Sequence, residues 1–156
     1  MVWDSSVLLA LMNGEPDAAG CESLLGAVAA GRAELVFPTV VVAEVLWARY
    51  PAGVRAAVDR VFALPGVRVI ALDVGLARRA ADLRAAPPVV KPAGGRKPRT
   101  LGVADGIIAV TAAAHADALY TADVHLLRLA GHPLLGGLTI THPPPGAAAT
   151  ANPTRP

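Results

Sequence analysis

The segment from Leu101 to Leu129 constrains the fold most strongly, because it predicts a helix, a short strand and a second helix in immediate succession. Apolar residues recur at helical spacing in its first part, and the apolar run at 118–120 is typical of a buried strand. Asp105 falls near the start of the first helix, and Asp123 comes just after the strand. Acids at such positions lie where an open α/β sheet binds ligands. Because Asp also caps helices, each acid alone leaves both interpretations open.

The rest of the chain repeats this alternation of short apolar strands and helices. Strands are predicted at 1–3, 34–37, 67–72, 118–120 and 137–141, with helices between them. Strands that alternate with helices favour a parallel sheet with right-handed crossovers. Thr39 is predicted to cap a helix that runs to Tyr50, and Asp73 to cap a helix that runs to about Arg84. Arg84 is assigned, with Arg78 and Arg79, to a solvated helix face, and the alternative is that these side chains reach a phosphate.

Length and composition predict a single globular domain. The chain has 156 residues, of which 54% are apolar, and this suits one domain with a proper core. We expect the domain to cover residues 1–141 and the Pro- and Ala-rich residues 142–156 to be a disordered tail. Cys21 is the only cysteine, which excludes an intramolecular disulfide and a cysteine-based zinc site. Without a signal peptide or spanning segment, we expect a cytoplasmic protein.

Glu44 is the most informative single residue. It lies in the predicted helix at 39–50 and has apolar neighbours one turn away on each side. An ionised carboxylate that faces a dry core is costly unless it is paired or bound to a metal. The alternative is a narrow exposed stripe that Glu44 shares with Arg49, because long apolar helices still have one wet side.

A basic segment precedes the helix that carries Asp105. Pro and Gly interrupt residues 85–100 repeatedly, which predicts a long loop. Four cations lie in it, and they are candidate contacts for a phosphate-bearing partner: Lys91, Arg96, Lys97 and Arg99. Such an arm suits a substrate that carries phosphates. It is equally compatible with a solvated loop, and the net charge of +2 permits a polyanionic partner without requiring one.

Four acids remain after those that are assigned to caps or to exposed positions: Asp4, Glu44, Asp105 and Asp123. Because the ends of parallel strands share one edge, Asp4 and Asp123 are expected to be neighbours, with the other two facing the same crevice. Carboxylates held close together repel one another. A hard divalent cation relieves that repulsion, and oxygen ligands favour Mg²⁺ or Mn²⁺. An acidic pocket, a divalent metal and a basic loop together predict phosphodiester hydrolysis.

The ordered set of motifs resembles the PIN domain, in particular the VapC-type toxins of bacterial toxin–antitoxin pairs. The resemblance extends to about Thr141 and rests on MVWDSSVLLALM, PTVVVAEVLWARY and VADGIIAVTAAAHADALYTADVHLLRL. It implies a three-layer α/β sandwich with a central, mostly parallel sheet between helices. It also implies a ribonuclease that depends on Mg²⁺ or Mn²⁺, uses a metal-activated water, is commonly dimeric and is held inactive by a cognate antitoxin. The long basic loop and the tail depart from the family pattern.

The resemblance implies a role for each matching residue. The acidic tetrad falls on Asp4, Glu44, Asp105 and Asp123, as metal ligands and catalytic residues. Thr121 matches the small hydroxyl residue that precedes the last acid and supports the site, and Ser5 and Ser6 are further candidates for site support. The four histidines are interpreted as surface or packing residues, although His125 lies near enough to the predicted site for a minor role with substrate.

Alternative functions can be distinguished by the residues that each of them requires. A haloacid-dehalogenase-type phosphatase would have a second Asp two residues after Asp4, where this chain has Ser6. A receiver domain would need an acid pair after the first strand and a Lys after the last, and neither is found. A non-catalytic RNA-binding or protein-interaction module on the same fold, and a PIN nuclease in housekeeping RNA processing, remain as alternatives.

Overall fold

The computed structural model describes residues 1–15, 18–47, 52–86 and 101–145. Within them the strands are β1 (Val2–Trp3), β2 (Leu35–Pro38), β3 (Val67–Ile70), β4 (Ala118–Tyr120) and β5 (Thr139–Thr141). The helices are α1 (Ser5–Asn13), α2 (Ala18–Ala29), α3 (Thr39–Trp47), α4 (Ala52–Phe62), α5 (Val74–Ala85), α6 (Val103–His115) and α7 (Val124–Leu127), with a 3₁₀ turn at Pro133–Leu135.

The described strands form one sheet in the order β3-β2-β1-β4-β5, and every pairing is parallel. The predicted α/β class with a central parallel sheet flanked by helices is therefore confirmed. β1 lies in the middle of the sheet although it has only two residues, because β2 and β4 both pair with it. From β1 the chain continues to β2 and β3 on one side, and then returns to place β4 and β5 on the other side. The strand order therefore reverses between β1 and β4, and such a switch point is where open α/β sheets bind ligands.

The core packs around β1 and β2. Val2 and Trp3 are fully buried, and all four residues of β2 are buried. The Phe37 ring meets Trp3 edge-on at a centroid distance of 6.4 Å and Phe62 at 5.1 Å. These aromatic contacts anchor α4 and β2 to the middle of the sheet, so the residue that follows β1 is held by a rigid part of the molecule.

Element ends differ from the sequence predictions in particular places. The prediction that Thr39 caps α3 is wrong, because Thr39 is the first residue of the helix. The strand predicted at 34–37 extends one residue further, because Pro38 pairs with Ile70 as the last residue of β2 and the strand runs directly into α3. The helix at 124–129 is also shorter than predicted and ends at Leu127. The Asp73 cap is confirmed, since its carboxylate accepts a hydrogen bond from the Leu76 backbone N–H at 2.7 Å.

Some predictions fall outside the described residues. These are the end of the helix predicted to run to Tyr50, most of the basic loop with its four cations, and the tail from residue 146 onward. Among the helices that are described, none combines the length and the apolar composition that crossing a bilayer requires.

Candidate acidic site

Asp4 follows β1 and is the most buried of the four predicted site acids, with 4% of its surface exposed. Its backbone N–H donates to the Tyr120 carbonyl at 3.1 Å, which ties it to β4. It occupies the N-cap position of α1, yet its carboxylate caps no backbone N–H. The side chain of Asp4 therefore does not serve as a helix cap.

The Asp4 carboxylate is held by three hydroxyl groups. Ser5 Oγ donates to Oδ1 at 3.2 Å, while Ser6 Oγ and Thr121 Oγ1 donate to Oδ2 at 2.7 and 2.9 Å. Hydrogen bonds to a carboxylate are roughly twice as strong as bonds between neutral groups. The three donors therefore fix the orientation of a buried negative charge.

Two of these hydroxyls also accept hydrogen bonds from the segment after β4. Thr121 Oγ1 accepts the Asp123 N–H at 2.9 Å, and Ser6 Oγ accepts the Ala122 N–H at 3.0 Å. The start of α1 and the loop after β4 are thus joined through Asp4. This contact spans more than 110 positions of sequence, and it brings Asp123 to the side of Asp4 as the parallel arrangement predicted.

Asp123 has a capping function of its own. Its carboxylate accepts the His125 backbone N–H at 2.6 Å at the start of α7. Asp123 therefore fits both the cap interpretation and the site interpretation. Its Oδ1 caps the short helix, and its negative charge still raises the pKa of Asp105.

Glu44 lies on α3 and is half-buried. Burial is the main cause that raises its pKa above the ordinary value of 4.5, and the negative charges of Asp4 and Asp105 raise the pKa further. The Ser5 hydroxyl opposes this shift by stabilising the charged form. The neighbours of Glu44 are thus groups of the acidic site, and this arrangement favours the site interpretation over an exposed stripe.

Asp105 is the third residue of α6 and is also half-buried. Burial raises its pKa above 3.8, and the charges of Asp123 and Asp4 raise it further. The Gly102 N–H, which donates to Asp105 Oδ2 at 3.2 Å, and the charge of His125 lower it. A β-carbon on Gly102 would lie only 2.7 Å from Oδ2, so the close approach of this carboxylate depends on a glycine at position 102.

Four carboxylates from separate elements therefore interact at one edge of the sheet. Their donor atoms are all oxygens, which suits Mg²⁺ or Mn²⁺ and does not suit softer ions. The described part of the chain holds no three His, Cys, Asp or Glu side chains already arranged around a common metal position. The site is thus a cluster coupled through charge, with a donor chemistry that fits a hard divalent cation.

Comparison with known proteins identifies the family. The model of the PIN domain matches residues 1–132. The chain belongs to the PIN-domain family.

A solved structure agrees with this PIN domain in fold. The chain is similar to one from the crystal structure of VapBC2 from Rickettsia felis bound to a DNA fragment from their promoter, with a TM-score of 0.62. The two share 16% sequence identity over 90% of this chain and 97% of that one. No curated protein matches the sequence.

The sequence analysis missed two residues at the edge of the acidic cluster, Gly102 and Arg84. Gly102 gave no signal beyond its place before a predicted helix. Arg84 was assigned to a solvated face, and this was wrong: it is only half-exposed, and its Nε–H donates to the Leu101 carbonyl at 2.9 Å. No local pattern relates two residues 17 positions apart on either side of a predicted loop.

Proposed function

We propose that this PIN domain is a divalent-metal-dependent endoribonuclease, and that it acts as the toxin of a type II toxin–antitoxin pair. The observation that carries the proposal is the meeting of Asp4, Glu44, Asp105 and Asp123 at the switch point of the sheet. Burial and the charges of the neighbouring acids raise the pKa values of Glu44 and Asp105, and carboxyl groups perturbed in this way are concentrated at functional sites.

We assign metal binding to the four carboxylates. Asp4 is the fixed ligand, because three hydroxyl donors already orient it. Glu44, Asp105 and Asp123 then complete the ligand set from three other elements. Bound there, Mg²⁺ or Mn²⁺ would supply charge to polarise a phosphoryl oxygen and to lower the pKa of a water.

The remaining residues of the site orient and support. Thr121, Ser5 and Ser6 donate hydrogen bonds to the Asp4 carboxylate and so fix its orientation as a metal ligand. No histidine is required as a general base. The cations Lys91, Arg96, Lys97 and Arg99 stay candidate RNA contacts on the strength of their sequence position alone.

The toxin role rests on two supports of different kind. The sequence motifs resemble VapC-type toxins, and the similar solved chain belongs to a VapBC2 complex. We infer from them a cognate antitoxin as protein partner and a homodimer as assembly. A housekeeping PIN nuclease would share the acidic site and would lack the antitoxin partner.

The function is tested by incubating the purified protein with a labelled structured RNA in Mn²⁺, in Mg²⁺ and in EDTA. We expect cleavage with either metal and none with EDTA. Asp4→Asn and Asp105→Asn are expected to abolish cleavage in proteins that remain folded by circular dichroism.

Asp117→Asn is the matched control, because Asp117 is an exposed acid that precedes β4, at the opposite end of the strand from the site. It should cleave like the wild type. Cleavage that persists in EDTA, or full activity of either site variant, would contradict the metal mechanism. Tight RNA binding without any cleavage would instead support the non-catalytic module.

A further inference from the structure

Arg84 joins the end of one helix to the start of another. It lies in the last turn of α5, and its Nε–H donates to the carbonyl of Leu101 at 2.9 Å. Leu101 precedes α6, the helix that carries Asp105. The hydrogen bond therefore fixes the point at which the backbone enters α6 after residues 87–100.

The contact depends on a close approach of α5 and α6. Gly106 lies beneath the Arg84 stem, and a β-carbon on it would stand 3.2 Å from Arg84 Cγ, 3.3 Å from Cδ and 3.5 Å from the Ala80 carbonyl. Because Gly106 has no side chain, the apolar stem of Arg84 lies against the backbone of α6. The guanidinium is thereby directed along the helix toward its first residues.

A short series of contacts connects Arg84 to the Asp105 carboxylate. Arg84 holds the carbonyl of Leu101, and the next residue, Gly102, donates its N–H to Asp105 Oδ2 at 3.2 Å. The Gly102 carbonyl accepts the N–H of Gly106 at 3.0 Å, which closes the first turn of α6. Arg84 thus contacts both ends of that turn, at Leu101 and at Gly106.

The guanidinium acts here as a hydrogen-bond donor and not as a counter-ion. Within the described residues Arg84 forms no ion pair, and the one salt bridge found among them joins Arg68 to Glu34 at 3.3 Å. A bond from a charged donor to a backbone carbonyl is stronger than a neutral one and is partly shielded from water. Its effect on the site is therefore one of geometry.

We propose that Arg84 is a positioning residue for Asp105. By fixing Leu101 and supporting Gly106, it holds the first turn of α6 in the conformation in which the Gly102 N–H orients the Asp105 carboxylate. The catalytic consequence rests on the proposed function, whereas the structural link between Arg84 and the turn does not.

The test uses Arg84→Met, which keeps an unbranched apolar stem over Gly106 and removes the donor. Arg78→Met is the matched control, because Arg78 is an exposed residue of the same helix and its loss removes the same charge. Hydrogen exchange of the Gly102 and Gly106 amides is measured by NMR in the full chain. The Mn²⁺ affinity is measured by water proton relaxation, and the single-turnover cleavage rate with a labelled RNA.

We expect Arg84→Met to exchange the two amides about tenfold faster than Arg78→Met. Mn²⁺ affinity and cleavage rate should each fall about tenfold, the lower end of the range for residues that orient metal ligands. RNA affinity in EDTA should match that of Arg78→Met. Arg84→Lys retains a donor and the charge, and it should recover part of the loss.

Several results would overturn the proposal. One is amide exchange that is unchanged from Arg78→Met, and another is faster exchange with unaltered metal affinity and cleavage. If Arg84→Met fails to fold, the same measurements on Arg84→Lys decide, and values equal to the wild type in all three would reject the positioning role. If the wild type itself neither binds Mn²⁺ nor cuts RNA, the proposed function fails, and amide exchange alone then decides whether Arg84 orders the turn.

Discussion

At the scale of single residues, Asp4 is characterised by the hydroxyl groups around it. Three donors surround one buried carboxylate, and two of them accept backbone N–H groups from the segment after β4. Each of these two hydroxyls uses both its donor and its acceptor capacity. A substitution that removes one hydroxyl should therefore affect the orientation of Asp4 and the position of Asp123 together.

Thr121→Val tests this coupling, because valine has the shape of threonine without the hydroxyl. It leaves the buried Asp4 carboxylate short of one donor and the Asp123 N–H without its acceptor. We expect the free energy of unfolding to fall by about 1–3 kcal/mol and cleavage to fall about 10- to 100-fold. Urea unfolding and single-turnover cleavage measure the two effects.

Thr121→Ser is the control, since it keeps the hydroxyl and loses only a buried methyl group. Its cleavage should stay close to that of the wild type, with a loss of roughly 1 kcal/mol in stability. Equal cleavage by the valine and serine variants would show that the hydroxyl does not orient Asp4.

Glu44 and Asp105 make a second residue-scale prediction, about pH. Their pKa values in the folded protein are raised, so the charged forms destabilise the native state. This penalty is fully present above the folded pKa values and disappears as pH falls below the ordinary values of 4.5 and 3.8. In EDTA, Glu44→Gln and Asp105→Asn should therefore be more stable than the wild type at pH 8.

The stability advantage should shrink as pH is lowered toward 4, as thermal unfolding at several pH values would reveal. Asp82→Asn, which alters an exposed acid on α5, is the comparison and should show no such pH-dependent gain. A gain that stays constant across the range would mean that packing and not charge explains the variants.

At the scale of elements, the acids separate into those that cap a helix and those that do not. Asp73 caps α5 with its carboxylate, Asp123 caps α7, and Asp4 holds an N-cap position without capping. All three residues are aspartates, so the residue type alone does not show which of them caps a helix. Only the position of the first turn relative to the carboxylate, and the competing hydroxyl donors at Asp4, distinguish the three.

Asp73→Ala should act on stability alone. Loss of the hydrogen bond to the Leu76 N–H is expected to lower the free energy of unfolding by about 1 kcal/mol, measured by urea unfolding. Cleavage should stay within about twofold of the wild type, because the cap lies at the opposite end of α5 from Arg84. A large loss of cleavage would mean that α5 transmits disorder along its whole length to the site.

At the scale of the whole molecule, the order of the strands in the sheet determines which residues come together in the acidic cluster. β1 and β4 are neighbours, so the residues that follow them meet, and α3 and α6 bring Glu44 and Asp105 to the same edge. The family match to residues 1–132 agrees with a site that draws on nearly the entire domain. No fragment of the chain contains all four acids except one that spans residues 4–123.

If the proposed function is right, metal should stabilise the whole domain, because an ion bound by the four acids would bind only the folded state. At a free Mn²⁺ concentration 100 times the dissociation constant, the gain is about 2.7 kcal/mol, read from the unfolding midpoint with and without Mn²⁺. Asp4→Asn should lose most of that gain, whereas Asp117→Asn should retain it. An unchanged midpoint of the wild type at millimolar Mn²⁺ would contradict a metal site.

The sequence by itself determined the alternation of strands and helices and the family, and it predicted which four acids form the site. Each of these is written in local periodicity or in short ordered motifs, which neighbouring residues specify. It also predicted the Asp73 cap, because capping is a contact between residues three positions apart.

The tertiary structure decided everything that depends on residues distant in sequence. The hydrogen bonds from Thr121 and Ser6 that link Asp4 to the loop after β4, and the bond from Arg84 to Leu101, arise only when packing places separate elements side by side. It also decided that Pro38 continues β2 and that Thr39 lies inside α3, because pairing with β3 overrides the local preference. Charge coupling among the four carboxylates is likewise a property of their distance in space, and no spacing along the chain encodes it.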